Sequence, residues 1–226
     1  RGVSQDGARR CAPLRGGAVT IELVTTDGIF ALDGGEWEVT NNIWLVGDDK
    51  EVVIFDAAHD HQPILDAVNG RNVTGIVLTH GHNDHINAAV ALREAVDAPI
   101  LLHEFDRFLW DVVHPDHDFD GPLEPGRTIS AGGHELGILH TPGHSPGCCC
   151  FHDVATGAVI SGDTLFCGGP GATGRVYSDE PTILATIRNV LLELPDHTVV
   201  HTGHGDSTTI GAERAGVLAR AAELNL

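Results

Sequence analysis

The stretch "THGHNDHI" (residues 79–86) places several polar side chains directly after an apolar run. That run, "VTGIVL" (residues 73–78), predicts a buried strand. Side chains at the carboxyl end of a strand project from a rigid platform into a crevice. Neutral imidazoles and carboxylates held close together are the groups that chelate a metal ion. The chelating candidates in this stretch are His80, His82, Asp84 and His85.

Strand and helix patterns alternate on both sides of this stretch, which predicts an α/β protein whose sheets are flanked by helices. Strands are predicted over residues 19–25, 28–34, 39–47, 51–58, 73–80, 98–103, 134–141, 147–153, 157–163 and 197–204. Helices are predicted over residues 62–70, 83–96, 104–113, 181–194 and 211–224. The first two strands are separated by a predicted Asp/Gly turn. We expect a disordered leader over residues 1–18 and a single domain over residues 19–226.

The composition excludes several classes of function. The chain has 226 residues and a formal net charge of −19, so we expect it to bind neither nucleic acid nor an anionic membrane surface. No apolar run approaches the ~20 residues of a membrane span. The five cysteines are odd in number and three are adjacent, which argues against a disulfide framework and favours the cytoplasm. The oligomeric state cannot be read from these features.

Three further polar residues also stand at predicted strand ends. His144 lies in "HTPGHSPG", Asp163 in "VISGDTLF" and His204 in "VVHTGHGDS". Each one alone could be a histidine satisfied by backbone groups or a capping aspartate. Their recurrence beside the four-residue cluster favours a shared metal site.

The segments "THGHNDH", "TPGHSPG", "GDTLF" and "GHGDSTTIG" resemble the metallo-β-lactamase superfamily, and most closely its glyoxalase II-like (hydroxyacylglutathione hydrolase-like) branch. The resemblance spans about residues 20–214 with all segments in family order. It implies an αββα sandwich of two mixed sheets flanked by helices. It also implies two metal ions, one on His80, His82 and His144 and one on Asp84, His85 and His204, with Asp163 between them. Two Zn²⁺ are expected, although Fe or Mn also suits these ligands.

The implied chemistry is hydrolysis by a hydroxide that bridges the two metals, which lower the pKa of bound water and polarise the scissile carbonyl. Asp84 is expected to orient this hydroxide as well as to bind metal. Asp56 ends another predicted strand, in "VVIFDAAHD". We expect its carboxylate to accept a hydrogen bond from a ligating histidine, although a plain turn residue is an alternative.

The predicted substrate is a small thioester, because "GDTLFCGG" best resembles glyoxalase II. The alternatives are a mononuclear iron persulfide dioxygenase, and a lactonase or other ester hydrolase of the superfamily. Arg175 is the nearest base after Asp163 and could bind a substrate carboxylate, or it could be a solvated surface residue. The chain stops about 16 residues past Ile210, where the family has a helical domain that helps to bind glutathione. The thiol carrier is therefore left open, with mycothiol as one hypothesis.

Overall fold

Two mixed sheets face each other in the computed structural model, which describes residues 20–32 and 34–226. Helices cover the outer face of each sheet, so the predicted αββα sandwich is confirmed. The leader predicted over residues 1–18 lies outside the described residues.

The first sheet has the strand order β1-β2-β3-β4-β5-β6. Its first three strands run antiparallel and the remaining neighbours are parallel. The strands are β1 (Thr20–Leu32), β2 (Gly35–Gly47), β3 (Glu51–Phe55), β4 (Asn72–Val77), β5 (Ile100–Leu102) and β6 (Gly121–Pro122).

The second sheet has the order β14-β13-β10-β9-β8-β7, in which only the β10–β13 pair is parallel among the described strands. Its strands are β7 (Thr128–Ala131), β8 (His134–His140), β9 (Cys149–Asp153), β10 (Ala158–Gly162), β13 (Val199–Thr202) and β14 (Thr208–Thr209). A small separate ribbon pairs β11 (Leu165–Phe166) with β12 (Gly169–Pro170).

The helices pack on the two outer faces and give the molecule three apolar layers. They are α1 (His61–Val68), α2 (Asn83–Ile86), α3 (Ala89–Val96), α4 (Arg107–Val113), α5 (Glu180–Asn189) and α6 (Ile210–Glu223). One layer lies between the first sheet and α1, α3 and α4, a second between the sheets, and a third beneath α5 and α6. None of the helices in the described part of the chain is long and apolar enough to cross a membrane.

The first hairpin differs from the prediction. The sequence predicts a turn near Asp27 and Gly28, but β1 continues to Leu32 and pairs with β2 along its whole length, with Gly28 opposite Val39. Gly28 is needed for close approach rather than for a turn, because a Cβ atom there would lie 2.2 Å from Nδ1 of His59. The long hairpin therefore packs directly against the loop that follows β3.

The predicted helix over residues 83–96 is divided in two, and this prediction is wrong in its middle. The helical hydrogen-bond ladder is interrupted between α2 and α3 because the backbone there bonds to the loop after β3 instead. The amide of Ala57 donates to the carbonyl of His85 at 2.9 Å, and the amide of Ala88 donates to the carbonyl of Ala57 at 3.0 Å. This anchoring fixes α2, which carries two of the predicted ligands.

Candidate metal centre

The structure brings the seven residues predicted as metal ligands together at the ends of four strands. Each follows a strand or opens the short helix after one. They are His80 and His82 after β4, Asp84 and His85 on α2, His144 after β8, Asp163 after β10 and His204 after β13. The two sheets therefore both contribute to one cleft, whose volume is about 230 Å³.

Three histidines form the first group of the cluster. Nδ1 of His82 lies 3.0 Å from Nε2 of His80 and 2.9 Å from Nε2 of His144. All three side chains are buried. Their nitrogens are close enough to one another to share one cation.

The second group consists of Asp84, His85 and His204. Nε2 of His85 lies 3.2 Å from Nε2 of His204. Oδ2 of Asp84 lies 3.3 Å from Nε2 of His204 and 3.6 Å from Nε2 of His85. A second cation can therefore be held beside the first.

Asp163 lies between the two groups. Its Oδ2 is 3.5 Å from Nε2 of His144 and 3.6 Å from Nε2 of His204, while its Oδ1 is 3.3 Å from Nε2 of His85. Oδ1 is buried, and among the described residues its contact with His85 is the one that meets its charge, without good hydrogen-bond geometry. A buried carboxylate oxygen with so little compensation is costly unless a cation satisfies it. This position suits a carboxylate shared between two metals.

The ring nitrogens that face away from the cluster show which tautomer His144 and His204 adopt. Nδ1 of His144 lies 2.7 Å from the carbonyl of Ala172, and Nδ1 of His204 lies 2.8 Å from the carbonyl of Thr40. A carbonyl only accepts, so these Nδ1 atoms carry the proton and donate. In the neutral imidazoles their Nε2 atoms then direct lone pairs into the cluster. Facing lone pairs at about 3 Å repel one another unless a cation lies between them, so the donor set fits metal ions.

Asp56 fixes the orientation of His85 in the same way. Its Oδ2 accepts from Nδ1 of His85 at 2.8 Å, and its Oδ1 accepts from the amide of Thr79 at 2.8 Å. The hydroxyl of Thr79 also donates to Oδ2 at 3.0 Å and lies 3.1 Å from Nδ1 of His80. The structure thus places Asp56 where the sequence analysis expected a carboxylate behind a ligating histidine.

The electrostatics of the cluster keep two of its ligands, His82 and Asp84, in the forms that bind metal. Burial, together with the neighbouring histidine His144, lowers the pKa of His82 to about 3, so this imidazole is neutral at pH 7. Burial works against ionisation of Asp84, but His85 and hydrogen bonds from His204 and Asn41 lower its pKa to about 2. Neutral imidazoles and ionised carboxylates are the species that coordinate cations.

His85 is the histidine on which the carboxylates act most strongly. Burial opposes its protonation, yet the carboxylates of Asp163, Asp84 and Asp56 raise its pKa well above the usual range. The same local negative charge that attracts a proton attracts a metal cation, which competes with the proton for Nε2. Metal binding at this group should therefore release protons.

Three contacts at the centre were missed by the sequence analysis. Asn41 donates from Nδ2 to Oδ2 of Asp84 at 3.1 Å, and its Oδ1 accepts from Nε2 of His59 at 2.8 Å. The hydroxyl of Tyr177 lies 2.8 Å from Nε2 of His82. The signal for Asn41 was present, since "VTNNIWLV" puts two amides into an otherwise apolar strand. Tyr177, fourteen residues past Asp163, carried no such signal.

Asp106 was also missed, and it joins two of the loops that carry ligands. Its Oδ2 accepts from the amide of Gly81 at 2.8 Å and from the hydroxyl of Ser145 at 2.5 Å. Its Oδ1 accepts from the amide of Gly147 at 2.6 Å. Burial raises the pKa of this carboxyl even though all three donors favour its ionised form. Asp106 therefore fastens the loop of His80 and His82 to the loop of His144.

Arg175 lies at the rim of the cleft rather than among the ligands. Its guanidinium is 5.4 Å from the ring centre of Trp37 and 6.0 Å from that of Phe30. Phe30 in turn lines the metal cleft. The arginine is thus within the neighbourhood of the cleft, on the side of the β1–β2 hairpin.

The fold and this cluster together define a protein built on a metal-binding hydrolase scaffold. A sequence model of the metallo-β-lactamase superfamily matches residues 37–204, and the chain belongs to that superfamily. The predicted family is therefore confirmed. Enzymes of this superfamily are hydrolases, and their fold binds divalent metals.

Similar proteins are known from several bacteria. A probable metallo-hydrolase, YqgX, from Bacillus subtilis is 34% identical over 77% of this chain and 89% of its own length. The hydroxyacylglutathione hydrolase GloC from Haemophilus influenzae is 32% identical over 76% of this chain and 87% of its own length. The crystal structure of TTHA1623 in a di-iron-bound form is 34% identical, with a TM-score of 0.69 over 78% of this chain and 93% of that one.

Proposed function

We propose that the chain is a dinuclear metal-dependent hydrolase that cleaves a small thioester. The observation that carries the proposal is the convergence of histidine nitrogens in two adjacent groups, with the buried carboxylate of Asp163 between them. His80, His82 and His144 would hold one metal ion and Asp84, His85 and His204 the other. The similarity to GloC, which is named a hydroxyacylglutathione hydrolase, supports a thioester as the substrate class.

Bound divalent metals supply Lewis acidity, which polarises the thioester carbonyl and lowers the pKa of a water molecule. In the overall reaction a C–O bond forms to the oxygen of water and the C–S bond breaks. The two protons of water end on the carboxylic acid and the thiol, or are released to solvent as these products ionise. No serine or cysteine nucleophile is required.

The chain's own residues position the reactants. Asp84 is ionised at neutral pH, and its carboxylate can accept a hydrogen bond from the attacking water and so orient it. Asn41 holds this carboxylate through Oδ2. The guanidinium of Arg175 can bind a carboxylate of the substrate at the rim of the cleft. Phe30, which packs against His82 with ring centres 5.5 Å apart, limits the access of bulk water.

The test is the metal content of protein purified without added metal, measured by elemental analysis together with thioester turnover on the same sample. We expect about two metal ions per chain and turnover that is lost on chelation and restored by Zn²⁺, Fe or Mn. His144→Ala should lose both metal and turnover. His61→Ala is the matched control, because His61 is a partly exposed histidine on α1 away from the cluster.

One iron per chain with no thioester turnover would overturn the proposal. Oxygen uptake with a persulfide would then identify the dioxygenase alternative. Hydrolysis of lactones in preference to thioesters would instead favour the ester hydrolase alternative. Metal content that is the same in His144→Ala as in the wild type would show that the cluster is not the metal site.

A further inference from the structure

A second, larger cavity lies beside the metal cleft. Its volume is about 450 Å³, which is within the range of about 300–1,000 Å³ for small-molecule sites. One wall is the tip of the β1–β2 hairpin, and the other is helix α4. We call it the α4 cavity.

The α4 cavity adjoins the metal cleft at His82, which lines both. The imidazole turns Nδ1 toward His80 and His144, and Nε2 toward the hydroxyl of Tyr177 in the α4 cavity. The ring of Tyr177 packs against Phe108 of α4, with ring centres 5.3 Å apart. A substrate whose carbonyl lies in the metal cleft can therefore direct one of its two substituents past His82 and Tyr177 toward the α4 cavity.

The walls of the α4 cavity are predominantly apolar. Helix α4 contributes Phe108, Leu109, Val112 and Val113. The polar side chain of Asn83 is engaged within the protein, since its Oδ1 accepts from the amide of Ala31 at 3.0 Å and its Nδ2 donates to the carbonyl of Ile29 at 3.1 Å.

The charge at the α4 cavity also disfavours a negatively charged ligand. Among the described residues that line the α4 cavity, Glu36 is the one charged side chain, and it is exposed. A negative group on the ligand would meet this carboxylate and would lose its hydration against apolar walls. The cavity suits an uncharged hydrocarbon group and not a polar thiol carrier.

We propose that the α4 cavity binds the acyl chain of the substrate, so that the enzyme prefers thioesters of apolar acyl groups to those of small hydroxyacyl groups. This inference rests on the proposed thioester hydrolysis and names its substrate class. The thiol carrier then lies on the other side of the carbonyl, toward the rim where Arg175 is found. Each methylene buried in the cavity should raise kcat/KM by about fourfold until the cavity is full.

The experiment uses the metal-loaded protein and a series of thioesters of one thiol, from acetyl to octanoyl, with the lactoyl ester for comparison. We expect kcat/KM to rise along the series and the lactoyl ester to be a poor substrate. Binding of ketone analogues, in which a methylene replaces the sulfur, provides a second readout by calorimetry. Their affinity should rise with chain length as well.

Two variants locate this selectivity. Val112 is 79% exposed at the cavity, so Val112→Asp is not expected to unfold the chain, and it should lower kcat/KM for the octanoyl ester by about tenfold while sparing the acetyl ester. Val154→Asp is the matched control, because Val154 is 78% exposed and lies in the turn after β9. The control should keep the full dependence on chain length.

The outcomes separate this inference from the proposed function. Hydrolysis of thioesters with no dependence on acyl length, or a dependence that Val112→Asp and Val154→Asp change equally, would overturn the assignment of the cavity and leave the thioesterase intact. No hydrolysis of any thioester by a fully metal-loaded sample would overturn the proposed function. The assignment of the α4 cavity can be tested even if no thioester is hydrolysed. It would be contradicted if the ketone analogues bound with an affinity independent of chain length.

Discussion

Gly203 shows how closely single residues are fitted around the metal centre. It lies in the loop between β13 and His204, and its amide donates to the carbonyl of Gly162 at 2.9 Å. A Cβ atom at this position would lie 2.2 Å from Oδ1 of Asp163 and 2.9 Å from Cε1 of His85. Because Gly203 has no side chain, the carboxylate of Asp163 has room to lie beside it.

Gly203→Ala should therefore displace the carboxylate of Asp163. We expect metal affinity and turnover to fall by ~10–100-fold, as is typical when the orientation of a ligand is disturbed. The measurement is metal content after dialysis against a weak chelator, with thioester turnover on the same sample. Gly137→Ala is the control, because a Cβ atom there would meet only the carbonyl of His152, at 3.8 Å. Equal metal content in both variants would show that the carboxylate has room to move.

The candidate ligands could be selected from the sequence because they are isolated polar residues at the ends of apolar strands. His144, Asp163 and His204 each break an otherwise apolar or glycine-rich context. Tyr177 was not predictable in this way. Its contact with His82 depends on the path of the chain between Asp163 and α5, which no local pattern specifies.

At the scale of elements, short segments carry the candidate ligands, and neighbouring elements fix the positions of these segments. Helix α2 spans only Asn83–Ile86, too short to be stable by itself. Its position comes from backbone bonds to the loop after β3 and from the hairpin that packs on it. The sequence predicted a continuous helix here because the helical spacing of apolar residues extends across residues 87 and 88. The backbone hydrogen bonds that Ala57 makes with His85 and Ala88 interrupt this helix.

Asp106, at the start of α4, is the residue that ties this arrangement to the loop of His144. Asp106→Ala should leave the amides of Gly81 and Gly147 and the hydroxyl of Ser145 without their acceptor. Each unsatisfied buried donor costs about 1–3 kcal/mol, so we expect a loss of about 3 kcal/mol or more in the free energy of unfolding. Denaturant unfolding of the metal-free protein measures it.

The control is Asp111→Ala, since Asp111 is an exposed aspartate on the same helix. It should change the free energy of unfolding by less than ~0.5 kcal/mol. A loss in Asp106→Ala no larger than in Asp111→Ala would show that solvent replaces the three hydrogen bonds. In that case the two ligand loops are held by packing and not by Asp106.

At the scale of the whole molecule, the two sheets meet in an apolar layer that also contains polar contacts near the site. The indole Nε1 of Trp44, on the first sheet, donates to the carbonyl of Thr202 on the second at 3.0 Å. The ring of His201 lies against Trp44 with ring centres 4.3 Å apart. The alternating strand and helix patterns predicted sheets flanked by helices, and the family resemblance implied the sandwich. The pairing of these two rings was not predictable, because it depends on how the sheets are stacked.

His201 should make the stability of the sandwich sensitive to acid. Burial lowers the pKa of this histidine from 6.5 to about 4 in the folded chain. Between these values the unfolded chain binds a proton that the folded chain does not. The contribution of His201 to the free energy of unfolding is therefore fully present above pH 6.5 and is lost as the pH falls toward 4. The loss is up to about 1.4 kcal/mol per pH unit and about 3 kcal/mol in total.

Denaturant unfolding of the metal-free protein at several pH values between these limits measures the effect. His201→Gln cannot take up this proton, so its free energy of unfolding should fall less steeply on acidification than that of the wild type. His61→Gln removes a partly exposed histidine and should retain the steep dependence. If the free energy of unfolding falls equally steeply in the wild type and in His201→Gln, the proton is taken up by another group. Burial of His201 against Trp44 then does not cause the acid sensitivity.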